Sequence, residues 1–89
     1  MRHWEVLLSS AAIRNLEKLP RRIVPAVIEF IFGTLPRDPT RVGKPLVGNL
    51  SGLYSGRRGE YRVLYELYDD SKTILIYRIA HRRDAYRNN

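Results

Sequence analysis

The chain has 89 residues, with 16 Lys or Arg against 9 Asp or Glu, so its formal net charge at pH 7 is +7. It contains no cysteine, which excludes disulfides and thiolate metal sites, and no apolar run reaches the ~18 residues of a membrane span. We therefore expect one small domain over residues 1–89, with no membrane or secretion segment, that works in the cytoplasm on a polyanion or an acidic partner.

The first half of the chain predicts one strand and two helices. Residues 3–8 predict a strand, because large apolar side chains fall on one face by period two. Ser9 or Ser10 then caps a predicted helix over residues 11–19, and Pro20 ends it. A second helix is predicted over residues 22–35, apolar around much of its girth, with Pro25 tolerated only in its first turn. Residues 40–47 are predicted to form a loop.

The second half predicts three strands joined by tight turns, over residues 48–58, 60–68 and 73–80. The last of these is apolar on both faces, which predicts a central strand. The order β-α-α-β-β-β predicts an α+β fold in which two N-terminal helices pack on one face of a mostly antiparallel four-stranded sheet. After the helical crossover, the first strand is free to lie parallel to its neighbour.

Arg62 lies in the middle of the predicted third strand, and alternation places it on the face opposite Tyr61, Val63 and Tyr65. A guanidinium held on a strand suits phosphate binding, because its fork of donors has a fixed geometry. The alternative is a surface ion pair with an acid such as Glu66.

The C-terminal stretch places chemically capable side chains directly after the last strand. His81 ends that strand, and Arg82, Arg83 and Tyr86 follow it. Histidine titrates near neutral pH and so serves as an acid or a base. Together with Arg62, these groups suit metal-free RNA scission, in which a base activates the ribose 2′-OH, guanidinium groups hold the phosphorane charge and an acid protonates the 5′ oxygen. The alternative is an ordinary histidine at a strand end.

Other kinds of site find little support in the residues. His3 and His81 are the only histidines, and there is no paired-acid or His-x-x-His spacing, so we expect no metal and no cofactor. A Ser–His–Asp arrangement stays open by residue type, although no serine lies in a Gly-x-Ser-x-Gly motif.

Short motifs at residues 44–46, 50–55, 59–65 and 79–86, taken in combination, resemble the RelE toxins of the RelE/ParE toxin–antitoxin superfamily. The resemblance covers nearly the whole chain. It implies a ribosome-dependent mRNA endonuclease that cuts in the ribosomal A site, without metal, through a 2′,3′-cyclic phosphate. It also implies a RelB-type antitoxin that neutralises the toxin in a hetero-oligomer.

The resemblance also implies roles for individual residues. Arg62 and Arg82 match the family's phosphate-holding arginines, Tyr86 matches the tyrosine that orients or stacks on RNA, and His81 matches an acid/base histidine, which we interpret as the general base. Founding members carry lysines on the second strand where this chain has none, which favours Arg57 as the charge stabiliser. The predicted RNA-binding residues are Lys44, Arg57, Arg58 and Arg83.

Two other functions stay open at this point. The superfamily shares one fold, so a ParE-like inhibitor of DNA gyrase would have the same topology. A non-catalytic basic module that binds ribosomes or RNA would have the same charge.

Overall fold

A computed structural model describes residues 3–86. Its strands are β1 (Glu5–Leu8), β2 (Lys44–Pro45), β3 (Tyr54–Arg58), β4 (Tyr61–Tyr68) and β5 (Thr73–His81). Its helices are α1 (Ser10–Lys18), α2 (Val24–Glu29) and α3 (Pro39–Val42), with a π-helical turn at Phe30–Thr34 and 3-10 turns at Leu35–Arg37 and Gly48–Leu50. Within this part of the chain, no helix is both long and apolar enough to cross a membrane.

The five strands form one mixed sheet in the order β1-β5-β4-β3-β2. β1 runs parallel to β5, and the other pairs are antiparallel. The fold is α+β, but the predicted four-stranded, mostly antiparallel sheet with two helices is wrong. The middle strand is β4, and β5 lies between β4 and β1.

The missed elements are short ones that lie within or overlap the predicted loop at residues 40–47. β2 has only two residues, too few to show any alternation, and pairing with β3 defines it (Lys44 with Ser55, Pro45 with Tyr54). α3 has only four residues, too few for a helical repeat. The predicted strand over 48–58 is also shorter, because Gly48–Leu50 is a 3-10 turn and β3 begins at Tyr54.

The helix starts follow the predicted chemistry. The Ser9 hydroxyl accepts a hydrogen bond from the Ala12 amide at 3.0 Å, which satisfies an otherwise unpaired donor in the first turn of α1. α2 begins at Val24, which places Pro25 in the first turn, where its missing N–H costs nothing. The helical path then continues through the π-helical turn, so that Phe30, Ile31 and Leu35 all reach the sheet.

The core lies between these helical segments and one face of the sheet. Its members are buried side chains that are 5% exposed or less, namely Ala12, Val27, Phe30, Ile31, Leu35, Val63, Tyr65, Ile74, Ile76 and Ile79. Tyr65 stacks on Tyr54 with ring centroids 5.6 Å apart, and its hydroxyl donates to the Pro39 carbonyl at 2.6 Å. Burial raises the pKa of the Tyr65 hydroxyl well above its ordinary value.

The opposite face of the sheet is covered at its centre by residues 82–86, which we call the C-terminal segment. Leu64 lies on that face and is fully buried. Its two cross-strand neighbours, Ser55 and Arg78, both hold this segment: Arg78 Nη1 donates to the Ala85 carbonyl at 3.0 Å, and the Ser55 and Tyr86 hydroxyls lie 2.8 Å apart. The segment therefore lies over Leu64 and presents Tyr86 beside the exposed part of that face.

Candidate active site

A cleft of about 550 Å³ lies where the β3–β4 turn meets the end of β5. Its walls contain all four predicted catalytic residues and one predicted RNA-binding residue, and they are formed by Glu60, Arg62, His81, Arg82, Arg83 and Tyr86. The antiparallel register explains this, because β4 pairs Tyr61 with His81 and Arg62 with Ala80. Residues about 20 positions apart in sequence therefore meet at one end of the sheet.

Arg62 is held in place by the turn that precedes it. Its Nη1 donates to the carbonyls of Gly59 at 3.1 Å and Tyr61 at 3.2 Å. Among residues 3–86 its Nε and Nη2 have no hydrogen-bond or ion-pair partner, and Arg62 forms no ion pair with Glu66. A fixed guanidinium with donors to spare is suited to hold an anion.

His81 is oriented by contacts on both ring nitrogens. The Arg83 amide donates to Nδ1 at 3.2 Å, and Nε2 lies 3.6 Å from Glu60 Oε1. Because Nδ1 accepts a hydrogen bond, neutral His81 in this arrangement carries its proton on Nε2. The ring also meets Tyr61 edge-on, with centroids 5.5 Å apart. Nε2 is therefore a proton donor aimed towards the carboxylate.

Glu60 is a member of the site that the sequence analysis missed. Its Oε1 lies 3.0 Å from Arg82 Nε, and its backbone carbonyl accepts from the Arg82 amide at 2.7 Å. Glu60 carries the only carboxylate among the described residues that line the cleft. No local signal in the sequence indicates Glu60, because it joins the site through the register that pairs Tyr61 with His81 and so places residue 60 beside residue 82.

Tyr86 stands where this cleft meets a second one. The residue is 45% exposed, while its hydroxyl lies at hydrogen-bond distance from the Ser55 hydroxyl on β3. Ser55 is the second member that sequence reasoning missed, since only the fold-back of the C-terminal segment brings the two hydroxyls together. Tyr86 thus has an anchored hydroxyl and a partly free ring face.

The second cleft, of about 360 Å³, extends the first along β2 and β3. Lys44 and Arg57 line it, and it shares Arg62 and Tyr86 with the first cleft. Arg57 is paired directly opposite Arg62 across the two strands. We call the two clefts together the basic groove, with cationic residues Lys44, Arg57, Arg62, Arg82 and Arg83.

Like charges opposite each other on neighbouring strands destabilise a sheet unless an anion lies between them. The pair formed by Arg57 and Arg62 therefore favours a bound polyanion in the groove.

Arg58 is the predicted RNA-binding residue that lies elsewhere. Alternation along β3 turns it to the helical face, where it lines a separate cavity beside α2. That cavity shares only Glu60 and His81 with the basic groove.

The described side chains supply proton donors, proton acceptors and fixed positive charge. Within residues 3–86, no group of three His, Cys, Asp or Glu side chains is placed to hold a metal ion.

Comparison with known proteins gives consistent matches over this same span. The family model described as ParE toxin of type II toxin–antitoxin system, parDE, matches residues 6–86. Toxin RelG of Mycobacterium tuberculosis is 51% identical over 84 residues, which cover 94% of this chain and 97% of RelG. Toxin RelE of the same organism is 44% identical over 86 residues, which cover 97% of this chain and 89% of that protein.

A solved structure gives the same result. The crystal structure of the toxin–antitoxin complex RelBE2 from Mycobacterium tuberculosis contains a chain that superposes with a TM-score of 0.87 at 49% identity. The match covers 90% of this chain and 99% of that one.

Proposed function

The chain belongs to the RelE/ParE family of toxins from type II toxin–antitoxin systems, and from this premise we propose that it is a metal-independent endoribonuclease that cleaves mRNA on the ribosome and so inhibits translation. The observation that supports this most is the single cleft whose walls hold Arg62, His81, Arg82 and Tyr86. These are the groups that scission of a ribose–phosphate linkage requires.

The proposed chemistry is attack of a ribose 2′-OH on the adjacent phosphorus. Arg62 and Arg82 bind the non-bridging oxygens and stabilise the charge that grows on them in the transition state. Arg57, opposite Arg62, adds positive charge from the next strand. The 2′ oxygen bonds to phosphorus, the bond to the 5′ oxygen breaks, and the products are a 2′,3′-cyclic phosphate and a 5′-hydroxyl.

Proton transfer is assigned to His81 and Glu60. We expected His81 to act as the base, but its Nδ1 accepts the Arg83 amide, so Nε2 is the protonated nitrogen in the cleft. As an imidazolium, His81 gives the Nε2 proton to the departing 5′ oxygen and becomes neutral, and the Glu60 carboxylate takes the proton of the 2′-OH. Both contacts of Glu60 use Oε1, and Oε2 has no partner among residues 3–86.

Tyr86 positions the RNA. Its hydroxyl is held by Ser55 while its ring is partly exposed to the groove, so a base can stack on the ring. Lys44 and Arg83 extend the positive charge along the groove to neighbouring phosphates.

We also propose that a RelB-type antitoxin binds this chain in a hetero-oligomer in the cytoplasm. The related Mycobacterium tuberculosis structure is a toxin–antitoxin complex. A net charge of +7 favours an acidic partner.

The test is to add the protein to a bacterial translation extract that contains a reporter mRNA, and to map strand breaks by primer extension. We expect breaks within translated codons and none in untranslated controls. Gyrase-trapped breaks in added plasmid DNA, with intact mRNA, would instead identify a gyrase inhibitor. Ribosome binding without any break would identify a non-catalytic module.

A further inference from the structure

The cavity beside α2 that Arg58 lines adjoins the proposed active site on the helical side of the sheet. It measures about 270 Å³ and lies between the start of α2, the β3–β4 turn and the end of β5. Its size is just below the usual range of small-molecule pockets, which suits one planar ring system rather than a folded segment.

The walls of this cavity combine apolar surface with positive charge. Ile23, Ala26 and Tyr61 provide aliphatic and aromatic surface, and Arg22 and Arg58 stand beside them. Both arginines are exposed, and neither has an ion-pair partner among residues 3–86. An apolar slot flanked by two unpaired guanidinium groups suits a ligand that is flat at one end and anionic at the other.

The cavity and the proposed reaction site are neighbours that share two lining residues. His81 and Glu60 line both the cavity and the catalytic cleft, and Tyr61 meets the His81 ring edge-on at 5.5 Å. A ligand in the cavity would therefore lie directly behind the group that we assign to protonate the leaving oxygen.

We propose that this cavity is a nucleotide subsite that takes the base next to the scissile linkage. This inference rests on the proposed function and extends it. The base lies against Ile23, Ala26 and Tyr61, and Arg22 and Arg58 bind the phosphate that follows. An RNA strand in the catalytic cleft reaches the cavity by passing over His81 and Glu60, so the two faces of the sheet hold neighbouring nucleotides.

The test measures binding of short RNA oligonucleotides that carry a 2′-O-methyl group at the scissile position, so that they bind without being cut. One oligonucleotide is complete, and a second lacks the base of the nucleotide beside the scissile linkage. Removing that base should weaken binding to the native protein about fivefold or more, the usual worth of one stacked base. Ala26→Leu, which fills the cavity, should bind both oligonucleotides equally and weakly.

Arg21 provides a matched control, because it is an exposed arginine that neighbours Arg22 but does not line the cavity. Arg22→Ala should weaken binding of the complete oligonucleotide and reduce the effect of removing the base, whereas Arg21→Ala should reproduce the native values. Equal losses of oligonucleotide binding in these two variants would overturn the subsite, because they would show that Arg22 acts only through non-specific charge.

The same experiment separates failure of the subsite from failure of the proposed function. A protein that cuts mRNA but binds both oligonucleotides equally keeps the function and loses the subsite. A protein that neither cuts mRNA nor binds the oligonucleotides loses both. If Arg22→Ala weakens binding of the antitoxin but not of RNA, the cavity is a protein contact and the proposal is overturned.

Discussion

The hydroxyl groups of Ser55 and Tyr86 lie 2.8 Å apart and join β3 to the C-terminal segment across 31 positions of sequence. The contact fixes the one tyrosine among the described residues that line the basic groove. It also closes the segment over Leu64, which is fully buried although it lies on the face away from the helices. One exposed hydrogen bond thus positions a residue of the site and helps to cover the sheet.

Replacing Ser55 with Ala should reduce cleavage more than it reduces stability. Loss of one hydrogen bond costs about 1 kcal/mol of folding free energy. A Tyr86 ring that is no longer anchored should lower the single-turnover cleavage rate roughly tenfold, because small misplacements of a positioning group are amplified in rate. Rates in a translating extract and urea unfolding measure the two effects. Ser51→Ala, at an exposed turn residue outside the groove, should change neither, and equal rates for both variants would contradict the positioning role.

Replacing Glu60 with Gln tests the assignment of the proton acceptor. The amide keeps the size of the side chain but cannot take the 2′-OH proton, so the cleavage rate should fall by about 10²-fold or more. Stability should change by less than about 1 kcal/mol, because the Glu60–Arg82 pair is exposed. Asp69→Asn is the matched control, since it also removes a turn carboxylate from an exposed ion pair, here with Lys72. Native-like cleavage by Glu60→Gln would remove Glu60 from the mechanism.

Tyr65 should make folding stability depend on alkaline pH. Burial raises the pKa of its hydroxyl in the folded state, so above about pH 10 the unfolded chain releases this proton while the folded chain retains it. The stabilisation is therefore complete below the ordinary tyrosine pKa and is lost as pH rises towards the folded-state value.

Tyr65→Phe is the comparison for that effect. It should lower stability at neutral pH by about 1–3 kcal/mol, because the buried Pro39 carbonyl loses its donor. It should also flatten the decline of stability in alkali, measured as urea midpoints across a pH series. An equally steep decline in both proteins would contradict the role of Tyr65.

The parts of the site that lie on regular strands could be predicted from sequence. Alternation along β4 correctly separates Arg62 from Tyr61, Val63 and Tyr65, and the Ser9 cap follows from local chemistry. The same alternation puts Arg57 and Arg58 on opposite faces of the sheet. It therefore predicts that Arg58 lies on the helical face if Arg57 lies in the groove.

The parts that depend on long-range register could not be predicted in the same way. Glu60 joins the site because the hairpin places it beside Arg82, and Ser55 joins it because residues 82–86 fold back over the sheet. β2 has no local signal, since pairing with β3 is what makes two residues a strand. These features arise from tertiary contacts that no window of sequence contains.

The most direct test of the proposed function is the chemistry of the RNA ends produced by a double variant and by its control. The native protein should leave 2′,3′-cyclic phosphate and 5′-hydroxyl ends on translated mRNA, and Arg62→Ala/Arg82→Ala should leave none while keeping the native circular-dichroism spectrum. Arg14→Ala/Arg37→Ala removes the same charge from exposed positions outside the described clefts and should still cut. Cyclic phosphate ends from the first double variant, at the rate of the control, would contradict the account.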